Sequence, residues 1–138
     1  MNVRTVTFRP CATRRRKLGD EGERQAEDYL RRKGFKILGR NIRFPLGELD
    51  LVAEDRGVLV FVEVKRRRSE VFGGASEAVT LRKQAKVVQL AALYLARHRI
   101  HGQPCRFDVV LFQDHPDGSV DLQHIANAFD VQGDDLRW

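Results

Sequence analysis

Apolar residues recur along this chain at two different periods. Leu18, Gly22, Ala26, Tyr29 and Leu30 follow helical spacing until Gly34 stops the pattern, which predicts a first helix over about residues 20–33. Residues 35–43 read as a strand, and Pro45-Leu46-Gly47 turns the chain. The apolar runs 48–54 and 58–65 then flank the turn signal Asp55-Arg56-Gly57, so they predict an antiparallel hairpin. A longer helix is expected from Ser76 or Thr80 to His98, with Leu81, Ala85, Val88, Ala92 and Leu95 as its core stripe, and Gly102 and Pro104 end it. Residues 106–112 form a further strand, 114–118 a turn, and 120–125 a last short strand or irregular piece. Strands alternating with helices define an α/β domain with a mixed central sheet flanked by helices. With 138 residues and 42% hydrophobic content, 18–138 fits one domain, preceded by residues 1–17 as a basic flexible arm.

The hairpin is apolar except where it carries charge. If Arg56-Gly57 is a two-residue loop, Asp55 faces Val58 and Asp50 faces Glu63. With period-two alternation, Glu63 and Lys65 share a face, and Glu48, Asp50 and Val52 line the same face of the partner strand. A three-residue loop with a bulge would shift that pairing by one. Facing carboxylates repel unless a cation sits between them, and burying them unpaired costs several kcal/mol. Hard ions such as Mg²⁺ or Mn²⁺ take a few carboxylate oxygens plus waters and a substrate phosphate. Asp50, Glu63 and the backbone carbonyl of Val64 are therefore the expected ligands, with Lys65 steadying an attacking water or the charge growing on a phosphate. The plainer reading is a solvated strand end with an internal ion pair.

Charge sharpens the choice of partner. The net charge of +6 is uneven: residues 1–17 carry +6, residues 18–106 another +6, and residues 107–138 carry −6. Basic charge gathers in Arg14, Arg15, Arg16 and Lys17 of the arm and in Arg66, Arg67 and Arg68 just beyond Lys65. That distribution favours a phosphate-rich partner whose binding weakens as salt rises. A solvated tail and a solvated loop are the competing explanations. On the second helix, Lys83 and Lys86 lie one turn apart; an exposed pair beside Arg82 is the simpler account, more so for Lys86.

Gly22-Glu23, Gly47-Glu48-Leu49-Asp50-Leu51, Phe61-Val62-Glu63-Val64-Lys65, Lys83 and Arg106-Phe107-Asp108-Val109-Val110 together resemble the bacterial YraN-like family of uncharacterised proteins, from about Leu18 to Phe129. That family is assigned by resemblance to the PD-(D/E)xK nuclease superfamily, which includes archaeal Holliday-junction resolvases. The resemblance implies a restriction-endonuclease-like core and catalytic roles for Asp50, Glu63 and Lys65. Resolvases add a glutamate from the first helix, which is Glu23 here, and the likeness adds weight to Lys83 as a nucleic-acid contact. Leu49 stands where the name-giving proline would be. Glu23 also completes Asp20-x-x-Glu23, which resembles a capping box, so helix capping competes with catalysis for it.

The expected function is Mg²⁺- or Mn²⁺-dependent hydrolysis of phosphodiester bonds in DNA, with branched or structured DNA as the candidate substrate. The alternatives are a non-catalytic nucleic-acid-binding or assembly protein that retains the nuclease fold, and a phosphoesterase acting on other substrates. Two symmetric cuts would require a homodimer. Asp108, amid apolar residues, is expected to pair with Arg106 in a structural role. No apolar run approaches a membrane span, Val3 to Phe8 is too interrupted for a secretory signal, and Cys11 and Cys105 make no disulfide framework, so a reducing cytoplasm is expected. His98 and His101, lacking nearby Cys or further His, make a poor zinc site, and Gly73-Gly74 lacks the Lys-Ser/Thr of a phosphate loop.

Overall fold

Eight elements alternate along the chain in the computed structural model, which describes residues 2–9, 18–67 and 80–129. They are β1 (Asn2–Phe8), α1 (Leu18–Arg32), β2 (Lys36–Phe44), β3 (Gly47–Asp55), β4 (Val58–Arg67), α2 (Leu81–Arg97), β5 (Cys105–Asp114) and β6 (Val120–Ala126). The strands form one six-stranded sheet in the order β1-β6-β5-β4-β3-β2. Only β4 and β5 run parallel, and α2 is the crossover that such a pair needs. The result is the mixed α/β arrangement expected, and it is consistent with a restriction-endonuclease-like core.

Each helix covers one face of the sheet. Ala26, Tyr29 and Leu30 of α1 pack with Phe35, Leu51, Ala53, Val60, Val62, Val110 and Phe112. Val87, Leu90, Ala91, Tyr94 and Leu95 of α2 pack with Leu49, Val52, Leu59, Phe61 and Phe107 on the other face. Residues 59 and 61 of β4 therefore look toward α2, and residues 60 and 62 toward α1. Burial on both faces explains why this central strand is an unbroken apolar run. Both helices stop the same way. Gly34 at φ +93° follows α1 and Arg99 at φ +53° follows α2, with Phe35 N–H donating to Leu30 O and Ile100 N–H to Leu95 O.

Two expectations are corrected. Residues 2–8 of the supposed flexible arm are a strand: β1 pairs antiparallel with β6 over its whole length, and Phe8 packs edge-on against Phe112. Valine, threonine and phenylalanine between polar residues suit a sheet edge, and that outweighed the arm's charge. The core stripe expected of α2 is met only in part: Leu95 is buried and Val88 packs against the core as expected. Leu81 is 82% exposed and Ala85 lies in solvent, whereas Val87, Leu90, Ala91, Tyr94 and Leu95 carry the buried face. Arg14, Arg15, Arg16, Lys17 and Arg68 lie outside the described residues.

Asp108 has the structural role expected of it. It accepts hydrogen bonds from Arg106 Nε at 2.8 Å and Nη2 at 3.0 Å, from the Asn127 N–H at 3.0 Å, and shares one with His124 Nε2 at 2.8 Å. Burial alone would raise its pKa, but the hydrogen bonds from His124, Arg106 and Asn127 outweigh it and hold the carboxyl below its ordinary value. Arg106 also reaches Asp55 at 3.3 Å, tying the hairpin tip to β5.

Candidate functional site

The β3–β4 hairpin has the register that a two-residue loop dictates. Arg56 and Gly57 both take positive φ, Asp55 pairs with Val58, and the ladder continues to Leu51 opposite Val62. There it stops. By alternation Leu49 would face α1 with Leu51, yet it packs with Val52 on the α2 side, so β3 changes face at Asp50. Asn41, at φ +52°, lies in β2 between the residues paired with Leu49 and Leu51, at the same level of the sheet.

This break creates the site. The Val64 N–H, which a regular ladder would give to a β3 carbonyl, donates instead to Asp50 Oδ2 at 2.9 Å. A strand residue's N–H and C=O point toward the same neighbour, so the Val64 carbonyl also looks toward β3. Glu63, 7% exposed, sits on the α2 face and shares a hydrogen bond with Asp50. Lys83 of α2 meets it with Nζ 3.1 Å from Glu63 Oε1.

The electrostatics follow from that crowding. Burial, and then the charge of Asp50, push Glu63 up to about 7 against the opposing pull of Lys83. Burial also raises Asp50, although the Val64 N–H, Glu63 and Lys83 each oppose it. Two carboxylates with one ammonium retain a proton between them near neutrality.

The helix that brings Lys83 is capped for the purpose. Thr80 Oγ1 accepts from the Lys83 N–H at 3.1 Å, which fixes the first turn of α2 above the carboxylates. Lys65 follows Glu63 by two on the same face and is exposed.

Other predicted residues stand apart. Arg66 is taken by Asp114 in a two-point pair, Nη2–Oδ1 2.7 Å and Nε–Oδ2 3.0 Å, which joins the ends of β4 and β5. Arg67 closes β4. Glu23 lies in the first part of α1, one carboxylate oxygen buried, beside Gly22, whose Cβ position would stand 3.7 Å from the Phe112 ring and 4.0 Å from Val64 Cγ1. The described residues hold no cluster of three or more His, Cys, Asp or Glu side chains suited to a metal. Lys86, set aside in the sequence, crosses the start of β3 beside Gly47. Its signal was the i, i+3 spacing from Lys83.

A three-layer α/β/α domain with an acidic pair and lysines where two central strands part defines the class of this protein. The chain matches the profile of "Uncharacterised protein family UPF0102" over residues 22–112 and belongs to that family. It is 50% identical over 114 residues to a UPF0102 protein of Symbiobacterium thermophilum, covering 83% of this chain and 97% of that one. A UPF0102 protein of Syntrophotalea carbinolica is 47% identical over 116 residues, 84% and 94% of the two chains, and one of Clostridium acetobutylicum 42% over 117 residues, 84% and 96%. Among the described residues no helix is long and apolar enough to cross a membrane.

Proposed function

We propose that this protein is a metal-dependent endonuclease that hydrolyses phosphodiester bonds in DNA, with branched or structured DNA as its substrate. The observation that carries the reading is the Asp50–Glu63 pair in a partly buried break of the sheet, with Asp50 Oδ2 accepting from the Val64 N–H at 2.9 Å, Glu63 Oε1 3.1 Å from Lys83 Nζ, and Lys65 on the same face.

The donor set fits a hard divalent ion. Asp50, Glu63 and the Val64 carbonyl offer oxygen ligands only, and Mg²⁺ or Mn²⁺ takes a few of these and leaves the remainder of its shell to water and substrate phosphate. The proton held by the pair is the positive charge that a cation would replace. When bound, such an ion supplies Lewis-acid polarisation of a phosphate and lowers the pKa of water.

The chain's own groups supply the rest. Asp50 is oriented by the Val64 N–H, so its second oxygen has a fixed direction. Glu63 is steadied by Lys83. Lys65, exposed on the same face, is free to orient water or to offset charge growing on phosphate oxygens. Basic charge in residues 1–106 supports an extended polyanion as the substrate.

The test is cleavage of duplex, single strand, flap, fork and four-way junction with Mg²⁺ or Mn²⁺. Wild type is expected to cut at least one of them, and Asp50→Asn and Glu63→Gln to lose on the order of 10²–10³ in rate while remaining folded. A folded wild type that binds the panel without cutting would favour a non-catalytic nucleic-acid-binding role instead.

A further inference from the structure

One row of α2 carries an arrangement that the carboxylate pair does not use. Lys83, Lys86 and Leu90 follow at i, i+3 and i+7 and so lie along one line of the helix. The C-terminal end of that line is core, since Leu90 is 1% exposed within the α2-side cluster. Its N-terminal end is Lys83 on Glu63. Between them, Lys86 lies across the first residue of β3. A Cβ at Gly47 would stand 2.8 Å from Lys86 Cε and 3.4 Å from Nζ, so the outer end of the Lys86 side chain lies against the backbone at Gly47. The lysine stem is thereby seated against backbone three residues before Asp50, with Lys86 exposed as a residue.

Among the described residues, no carboxylate pairs with Lys86. Arg82 and Lys83 occupy the first turn of α2, which has no acid, although a helix N-terminus is itself positive and repels cations. Lysines one turn apart add like-charge repulsion. Glu63 offsets Lys83, and among the described residues no acid does the same for Lys86, whose exposed charge is open to an anionic ligand.

We infer that Lys83 and Lys86 form a phosphate-binding subsite on α2 that takes the phosphodiester backbone of a nucleic acid next to the bond presented to Asp50 and Glu63. The identity of that bond rests on the endonuclease reading; the subsite itself does not require turnover. Lys86 is a binding and positioning residue in this arrangement.

The experiment measures binding of a fluorescein-labelled duplex and a labelled four-way junction in EDTA across a series of KCl concentrations. Lys86→Met keeps the stem and removes the charge. It is expected to weaken binding about threefold to tenfold near physiological salt and to reduce the slope of log K against log[KCl] by about 0.9, the signature of one lost phosphate contact. Lys86→Arg should restore the slope. Lys36→Met, at the far end of the hairpin, should leave the slope at the wild-type value. An unchanged slope for Lys86→Met, an equal loss for Lys36→Met, or no binding by wild type overturns the subsite. Because the slope is read without metal, it decides this inference whether or not the protein cuts DNA.

Discussion

Glu63 meets two opposed demands. Its place on the central strand buries it, and its place beside Asp50 sets it against a like charge, so it keeps its proton up to about 7 rather than the ordinary 4.5. Between those values the folded chain binds more protons than the unfolded one, so metal-free stability falls as pH rises through that window and levels off above it. Asp50, also raised, acts in the same direction. Asp108 acts oppositely: its lowered pKa lends stability above 3.8 that is lost as pH falls through the folded value. Thermal unfolding in EDTA should therefore show a falling midpoint from about pH 5 to 7, and Glu63→Gln should flatten that fall. With Mn²⁺ present the fall should disappear, because the cation takes the place of the proton. The turn and its register were legible from sequence, because a two-residue loop fixes them. The expected placement of Asp50 opposite Glu63, with Glu48, Asp50 and Val52 on one face, assumed an unbroken ladder, and the ladder stops at Leu51 and Val62. Lys83 as the partner of Glu63 was not legible, since only the docking of α2 brings residues twenty apart into contact.

The hairpin and α2 together build the site, and each makes a prediction as an element. Arg56 holds φ +52° in the turn that sets the register, a conformation asparagine adopts more readily ahead of Gly57, so Arg56→Asn should stabilise the fold by up to about 1 kcal/mol in a denaturant titration. On α2, Thr80→Ala removes the cap beneath Lys83 and should cost about 1 kcal/mol. Leu90→Ala, in the buried face, should cost about 2–5 kcal/mol. Sequence periodicity located this helix and part of its packing face. Of the row Leu81-Ala85-Val88-Ala92-Leu95, Leu95 is buried and Val88 packs against the core, whereas Leu81 and Ala85 are exposed, and Val87, Leu90, Ala91 and Tyr94 supply the rest of the buried face. The change of face at Asp50 was equally out of reach, because alternation assumes a regular ladder and Asp50's carboxylate replaces a backbone acceptor there.

At the scale of the molecule, the sheet carries two charged centres with different purposes. Asp108, Arg106 and His124 form a saturated network under Tyr29 and Phe35, and Asp108→Ala should cost about 3–5 kcal/mol because the buried His124 and the half-buried Arg106 would both lose their acceptor. The Asp50–Glu63 centre has fewer partners, the Val64 N–H on Asp50 and Lys83 on Glu63, and is where we propose that a divalent cation binds. The overall α/β order was readable from the alternation of periods, whereas β1 was hidden in a segment whose arginines drew attention from its Val-Thr-Phe pattern. Pairing with β6, distant in sequence, is what makes that segment a strand. The account depends most on Asp50 and Glu63 being a divalent-cation site. Its most direct measurement is calorimetric titration of Mn²⁺ into wild type and Asp50→Asn near pH 7, in two buffers of different ionisation enthalpy. The account predicts saturable binding with proton release in wild type, and loss of both in Asp50→Asn. Binding that survives unchanged in the variant, or no binding by the folded wild type, would contradict it.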